Sequence, residues 1–350
     1  MKVDRCALSE AMREASEKDY LRQQREVQER IGRVFMPGLM RGLDDLFKPS
    51  NQFKLVHYTS ADVAELIMKN REIWLRSTQY VNDTSEIHHG FALIERLFGL
   101  NGKAEQGGSR LLRALDQIHK GVGEAVVPYF RARYDDILNN TFISCVSKHA
   151  LHEREHGRLS MWRAYGRKSG VALVLNPEPF RSTSDVLKAY SAPVLYGGWD
   201  EFIRDMSEVT DKIEASAEKL RFIPAHDLIK IVHMMLLLTV TCIKHPSFVE
   251  EQEWRVIYTP TEFHSSVIKP ANITIGGISQ TINKLSLKDY PRQGLSGIEI
   301  PQLIDNVIVG PLGDPVHTRE RMIAALIEAG VSDAENKVTL SNIPLRIDGY

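Results

Sequence analysis

No stretch of this 350-residue chain approaches the roughly 18 consecutive apolar residues of a membrane-spanning helix. The N-terminus, MKVDRCALSEAMREASEKDY, lacks the apolar core of a signal peptide. The longest apolar run, MMLLLTVTCI from Met234 to Ile243, reads as a buried helix, and membrane association is not expected. Cysteine is scarce. Cys6, Cys145 and Cys242 are odd in number and form no C-x-x-C, which excludes a disulfide framework or a cysteine zinc cage and points to a reducing cytoplasm. An excess of one charge is also missing: 44 Lys and Arg against 45 Asp and Glu leave −1, so binding to bulk polyanions is disfavoured. No G-x-G-x-x-G follows a strand and no G-x-x-x-x-G-K-[ST] occurs, so the common phosphate-cradling loops are absent. What remains, 43% apolar and 25% charged residues, is the make-up of an ordinary globular protein.

Residues 1–50 read as a helical extension. Tyr20, Val27, Ile31, Val34 and Phe35 recur at helical spacing up to the break at Pro37-Gly38, and a short second helix ends at Lys48-Pro49. Such an arm is expected to pack outside the main domain or to serve self-association. Residues 51–350 are expected to form the catalytic domain, in which FKLVHYT, REIWLRS, TFISCVS, GVALVL, EWRVIYT and NVIVG read as strands among helices. Thr59 with Asp62 is expected to cap the helix after the first strand. Strands scattered among helices without βαβ alternation predict an α+β fold.

Several constellations could carry chemistry. His152-Glu153-Arg154-Glu155-His156 satisfies H-E-x-x-H, and a zinc hydrolase would need a third ligand such as His149 or Glu178. Its charged centre and Gly157 instead favour a metal-free, mobile loop, and no metal is assigned. His88-His89 reads as first-turn polar residues, since helical neighbours point apart. Glu251 and Glu253, just before a strand, are expected to project to one side about 7 Å apart, where one could orient a sugar hydroxyl and the other take a proton. His57-Tyr58-Thr59 ends the first strand of the main domain, and Met161, Trp162 and Tyr165 mark one face of a short helix.

These pieces, in order, resemble the motifs of a bacterial family of unknown function: His57-Tyr58-Thr59, Asn82-Asp83 with Glu86, Ser144-Cys145-Val146-Ser147, Met161-Trp162 with Tyr165, Glu251 with Glu253-Trp254-Arg255, and Val309-Gly310-Pro311. The likeness spans about residues 52–330, with Thr84 and Val146 departing from the pattern. More distantly, the order is similar to that of the ADP-ribosyltransferase superfamily. That resemblance implies a partly split antiparallel sheet flanked by helices and an NAD-dependent enzyme, a transferase or NAD glycohydrolase, that cleaves the nicotinamide glycosidic bond. NAD would be the substrate, with an acceptor that is protein or nucleic acid, and the setting a toxin or phage-defence effector. It implies Glu253 as catalytic glutamate, Glu251 as base toward the acceptor, His57 on the ribose, and Tyr165 or Tyr58 as stacking platform beside Trp162. Arg76 and Arg163 would hold the pyrophosphate. The alternatives are a nucleotide-binding or nuclease-like defence module without NAD chemistry, and the zinc hydrolase.

Overall fold

The structure, a computed structural model, describes residues 19–20, 22–23, 25–80, 86–100, 105–166, 169–311 and 313–344. Cys6, Asn82, Asp83 and Thr84 lie outside the described residues.

The chain opens with helix α1 (residues 25–35) and α2 (Pro37–Phe47), parted at Met36, with Pro37 at the first helical position where its missing N–H costs nothing. Strand β1 (Lys54–Ser60), α3 (Ala61–Asn70) and β2 (Glu72–Ser77) follow. The cap of α3 is Ser60, whose Oγ accepts from the Val63 amide at 3.3 Å, so the start lies one residue beyond the expected Thr59. Helices α4 (Glu86–Phe98), α5 (Gln106–Ile118), α6 (Val122–Arg131) and α7 (Tyr134–Asn139) lead to β3 (Phe142–His149). Then come α8 (Leu159–Tyr165), β4 (Gly170–Leu175), β5 (Tyr190–Pro193), β6 (Leu195–Tyr196), α9 (Trp199–Leu220), α10 (Ala225–Thr241), β7 (Ile243–Lys244) and β8 (Glu253–Tyr258). Strands β9 (Lys269–Ile275) and β10 (Ile278–Ser286), α11 (Ile300–Leu303), β11 (Ile304–Val309), α12 (Pro315–Glu328) and β12 (Val338–Leu340) complete the chain.

The fold is α+β. Among the described residues, ten strands form one mixed, mostly antiparallel sheet in the order β12-β11-β4-β1-β3-β2-β10-β9, with β8 and then β5 on the other edge of β3; within this sheet β11 and β12 pair in parallel, and the short β6 and β7 pair separately. One edge of β3 is shared by two strands. Its C-terminal residues Ser147–His149 pair with β1, and Phe142 and Ile143 pair with β2. Between these pairings β1 turns away toward β4 and β2 toward β10, so the sheet parts beside Ser144–Val146.

Alternation along the strands sorts side chains onto two faces. Leu55, Leu75, Val146 and Trp254 lie on the face covered by α3 and α12, with Met68, Met322 and Leu326. Val56, Tyr58, Ala172 and Ile308 lie on the opposite face, under Met161 and Trp162 of α8. A separate helical core joins α4, α5, α6, α9 and α10 around Phe91, Leu97, Leu115, Phe202 and Leu236. The run from Met234 to Ile243 is buried here, as its composition implies. The N-terminal helices bury Phe35 in this helical core and Leu46 in the α3 face of the sheet, which ties them to both halves of the protein.

Candidate functional site

Site construction begins at Lys244. The longest apolar run of the sequence ends on this lysine, in β7, whose two residues pair in parallel with β6. The following 3₁₀ turn, Pro246–Glu251, ends at Gln252 in the left-handed conformation (φ 45°), and Glu253 then enters β8. Glu251 and Glu253 are therefore not alternate residues of one strand. The left-handed residue bends the chain between them, and both carboxylates close on one ammonium: Lys244 Nζ lies 2.7 Å from Glu251 Oε2 and 3.2 Å from Glu253 Oε2.

Glu253 faces Ser147 across the β3–β8 pair, which puts it on the α8 face of the sheet. Arg255, two residues along the same face, donates Nε to Glu253 Oε1 at 3.0 Å and a terminal nitrogen to Oε2 at 3.1 Å, a bidentate fork. The phenol of Tyr196 accepts the Glu253 amide at 2.7 Å. Burial by itself raises the pKa of Glu253, but Arg255, Lys244 and a hydrogen bond from the Cys145 thiol outweigh it and hold the carboxyl at about 2. Glu253 is ionised and fully engaged.

Glu251 is the outer member. Its side chain is 19% exposed against 7% for Glu253. Tyr165, the last residue of α8, reaches it with a hydroxyl 3.5 Å from Oε1, and burial together with this carboxylate pushes the Tyr165 phenol above its ordinary pKa. Phe248 lies under Lys244, with the ammonium 4.6 Å from the ring centroid. Two cations and two carboxylates thus balance in one buried cluster, rimmed by a neutral phenol.

Arg158 holds the loop that carries Glu251. It donates to the carbonyls of Glu250 (2.7 Å), Glu251 (3.1 Å) and Lys148 (2.8 Å), and forks onto Glu153 at 2.6 and 2.8 Å. Glu153 also accepts the Ala150 amide at 2.9 Å, and these bonds keep its pKa below the usual range although burial raises it. The glutamate of the H-E-x-x-H string is thus a structural partner of Arg158, in a 3₁₀ turn. Among the described residues, no three His, Cys, Asp or Glu side chains gather as a metal site requires.

His57 and Glu253 lie on opposite faces. His57 pairs with Leu173, on the α3 face, and its Nδ1 lies 2.9 Å from the Cys145 carbonyl, where the sheet parts. The imidazole satisfies a β3 carbonyl that neither β1 nor β2 reaches, and burial lowers its pKa despite that bond. Cys145 stands between the two candidates, its carbonyl toward His57 and its thiol toward Glu253. Convergence of His57, Tyr165 and Glu253 in one cleft does not occur, because the pleat sends residue 57 to the other side.

Tyr58 and Trp162 are core residues. Their rings meet edge to face at 4.8 Å, Trp162 Nε1 donates to the His156 carbonyl at 2.8 Å, and neither ring face is open to a ligand without repacking. Arg163 is exposed on α8. Arg76 lies on β2, donating to the Tyr80 carbonyl at 2.8 Å, with burial lowering its pKa. Of the expected residues, the structure gathers Glu251, Glu253 and Tyr165. Lys244, Tyr196 and Arg158 join them from outside the sequence motifs, and Cys145, part of the Ser144–Ser147 motif but given no role there, joins them too. The one legible cue was Lys244, a charge directly following the most apolar run in the chain.

Residues 161–256 match a family model described as a protein of unknown function (DUF2971). The match runs from α8 through most of β8 and so includes Tyr165, Lys244, Glu251, Glu253 and Arg255, but neither His57 nor Cys145. No curated protein and no solved structure matches the chain. Among the described residues, no helix is long and apolar enough to cross a membrane.

Proposed function

We propose that the α8 face of the sheet binds NAD and cleaves its nicotinamide glycosidic bond, in the manner of an ADP-ribosyltransferase or NAD glycohydrolase. The observation that carries this reading is Glu251: a carboxylate at the rim of a buried charge cluster, contacted by Lys244 at 2.7 Å and Tyr165 at 3.5 Å. Breaking the bond between ribose C1′ and the nicotinamide nitrogen sends the electron pair to nicotinamide and builds positive charge on the ribose. A fixed carboxylate beside that ring stabilises the transition state more than the ground state. The acceptor, protein, nucleic acid or water, then attacks C1′ and loses a proton, which Glu251 is the better placed of the two glutamates to receive. Glu253, held by Arg255 and Lys244, is a positioning residue in this reading, reversing the order of the two carboxylates that the resemblance implies.

Nicotinamide release from NAD by wild type, Glu251→Gln and Tyr165→Phe, with and without cell lysate as acceptor, tests the proposal. Release should fall by roughly 10²–10³ in Glu251→Gln while NAD affinity changes little. Equal release from wild type and a folded Glu251→Gln, or no NAD binding at millimolar ligand, overturns it. The balance of two cations against two carboxylates favours a second reading, a nucleotide-binding module without chemistry. NAD binding without nicotinamide release would select it.

A further inference from the structure

A cavity of about 860 Å³ lies away from the Glu251 cluster, between helices α1 and α2 and the part of the sheet that ends at β5. Folded chains pack to nearly crystalline density with few voids larger than a water molecule, whereas ligand sites run to roughly 300–1,000 Å³. A space of this size is therefore a candidate site in its own right. Its floor is apolar and comes from separate elements: Val146 of β3, Val256 of β8, Leu238 of α10 and Leu285 of β10. Its roof is Met36, Met40, Leu43 and Phe47 of the N-terminal helix pair. Methionine side chains adapt to ligand shape at small cost, which suits a flexible apolar body.

The charges around the cavity specify the rest. Arg33 forks onto Asp44 at 2.9 and 3.2 Å, Arg25 pairs with Glu29 at 3.0 Å, and Arg181 pairs with Glu178 at 2.8 Å. Asp185 is taken by Lys188 at 3.0 Å. Of the cations that line the cavity, Lys48, exposed at the end of α2, alone forms no ion pair with a described residue. An apolar interior with one unspent cation at its solvent edge is complementary to a single long apolar chain with an anionic head.

From this we infer that the cavity between α1–α2 and the sheet binds a long-chain carboxylate, the chain lying among Leu43, Leu238 and Val256 and the head at Lys48. The inference does not depend on the NAD reading. It also gives the N-terminal helices a task other than self-association.

The test is a titration of the full chain with cis-parinaric acid, a fluorescent fatty acid, displaced by palmitate or by uncharged hexadecanol. Lys48→Glu and Leu43→Trp are the variants, each checked for an unchanged thermal transition. Saturable binding of one probe per chain is expected. Lys48→Glu should weaken palmitate by roughly fivefold and leave hexadecanol unchanged, while Leu43→Trp, which fills the cavity, should weaken both by about tenfold or more. Absence of saturable binding below the micellar range overturns the proposal. So does a Lys48→Glu protein that binds palmitate as wild type, or a folded Leu43→Trp protein with unchanged affinity. If Leu43→Trp fails to fold, the contrast between palmitate and hexadecanol in Lys48→Glu decides. Co-sedimentation with phosphatidylglycerol vesicles that Lys48→Glu abolishes, without binding of free palmitate, would mean that the surface reads a bilayer and would also overturn it.

Discussion

Glu251 and Glu253 share one ammonium, with Lys244 Nζ 2.7 Å from the first and 3.2 Å from the second. The sharing is unequal in consequence. Glu253 also accepts both prongs of the Arg255 fork and is nearly sealed from solvent, whereas the Glu251 carboxylate meets, among the described residues, Lys244 and the Tyr165 hydroxyl at the rim. Removing charge from the inner carboxylate should therefore be read out in stability, and removing it from the outer one in whatever chemistry the face performs.

Glu253→Gln leaves Arg255 and Lys244 buried with a single carboxylate between them. Breaking a buried ion pair by removing one partner costs about 3–5 kcal/mol, since the remaining charge stays desolvated. Urea unfolding should register that loss for Glu253→Gln, and about 1–2 kcal/mol for Glu251→Gln, whose partner keeps Glu253. Equal destabilisation by the two variants would contradict the assignment of inner and outer roles.

Arg158 joins the Glu251 loop to the end of β3 and to the turn at Glu153 through five donated bonds. Lysine keeps the charge but not the planar fork, so it cannot serve the carboxylate and three carbonyls together. Arg158→Lys should cost about 2–3 kcal/mol and speed hydrogen exchange of the loop amides around Gln252. Unchanged exchange there would show that the loop is held by other bonds.

Much of the architecture was legible because its cues are local. The strands at FKLVHYT, TFISCVS and GVALVL and the buried helix over most of Met234–Ile243 appear where alternation or composition places them. The hairpin of β9 and β10 was not, since its strands interleave Asn, Thr, Gln and Lys with isoleucine and β9 buries none of its residues. Its turn, Gly276-Gly277 with φ of 57° and 83°, marks a break in the chain without announcing the strands on either side. The site was half legible. Glu251, Glu253 and Tyr165 come together, but through a left-handed Gln252 that no pattern announces. The faces of β1 followed from pleat parity, yet which face met Glu253 depended on long-range pairing with β3. Arg158 and Cys145 are distant in sequence from the residues they serve, which leaves no periodic trace.

Gly170 and Gly310 sit where the backbone behind α8 leaves no room for a side chain. A Cβ on Gly170 would stand 2.4 Å from the Gly166 Cα, and one on Gly310 would stand 2.9 Å from the Gly170 carbonyl and 3.0 Å from the Trp162 ring. Backbone atoms cannot give way as a flexible side chain can. Gly170→Ala should destabilise by about 2–3 kcal/mol in chemical denaturation and displace α8, altering Trp162 fluorescence. A neutral effect would mean that the β4 entry can shift without cost.

Acid should weaken the fold in two stages. His149 is buried on β3, where the Tyr58 hydroxyl lies 2.9 Å from its Nε2. Because Tyr58 oxygen already accepts the Arg158 amide at 2.6 Å, its own proton is available for Nε2, and the ring is held neutral. Burial lowers its pKa from 6.5 to about 4, while Glu153 opposes and Arg158 assists that shift. Between those values the unfolded chain binds a proton that the folded one does not, so stability falls as pH drops from 6.5 toward 4. His57, on the other face of the sheet and also lowered by burial, adds in the same direction. Glu253 acts in a lower window: its carboxyl, near 4.5 when unfolded, is held at about 2, so its contribution is complete above 4.5 and disappears as pH falls through 2. The His149 and Glu253 shifts each correspond to a few kcal/mol, on the order of 1.4 per unit. Urea midpoints measured from pH 7 to 3 should therefore decline throughout. In His149→Gln the upper part of the decline should flatten, with the lower part intact. A wild-type midpoint that holds constant from pH 6.5 to 4.5 would refute the neutral, buried His149.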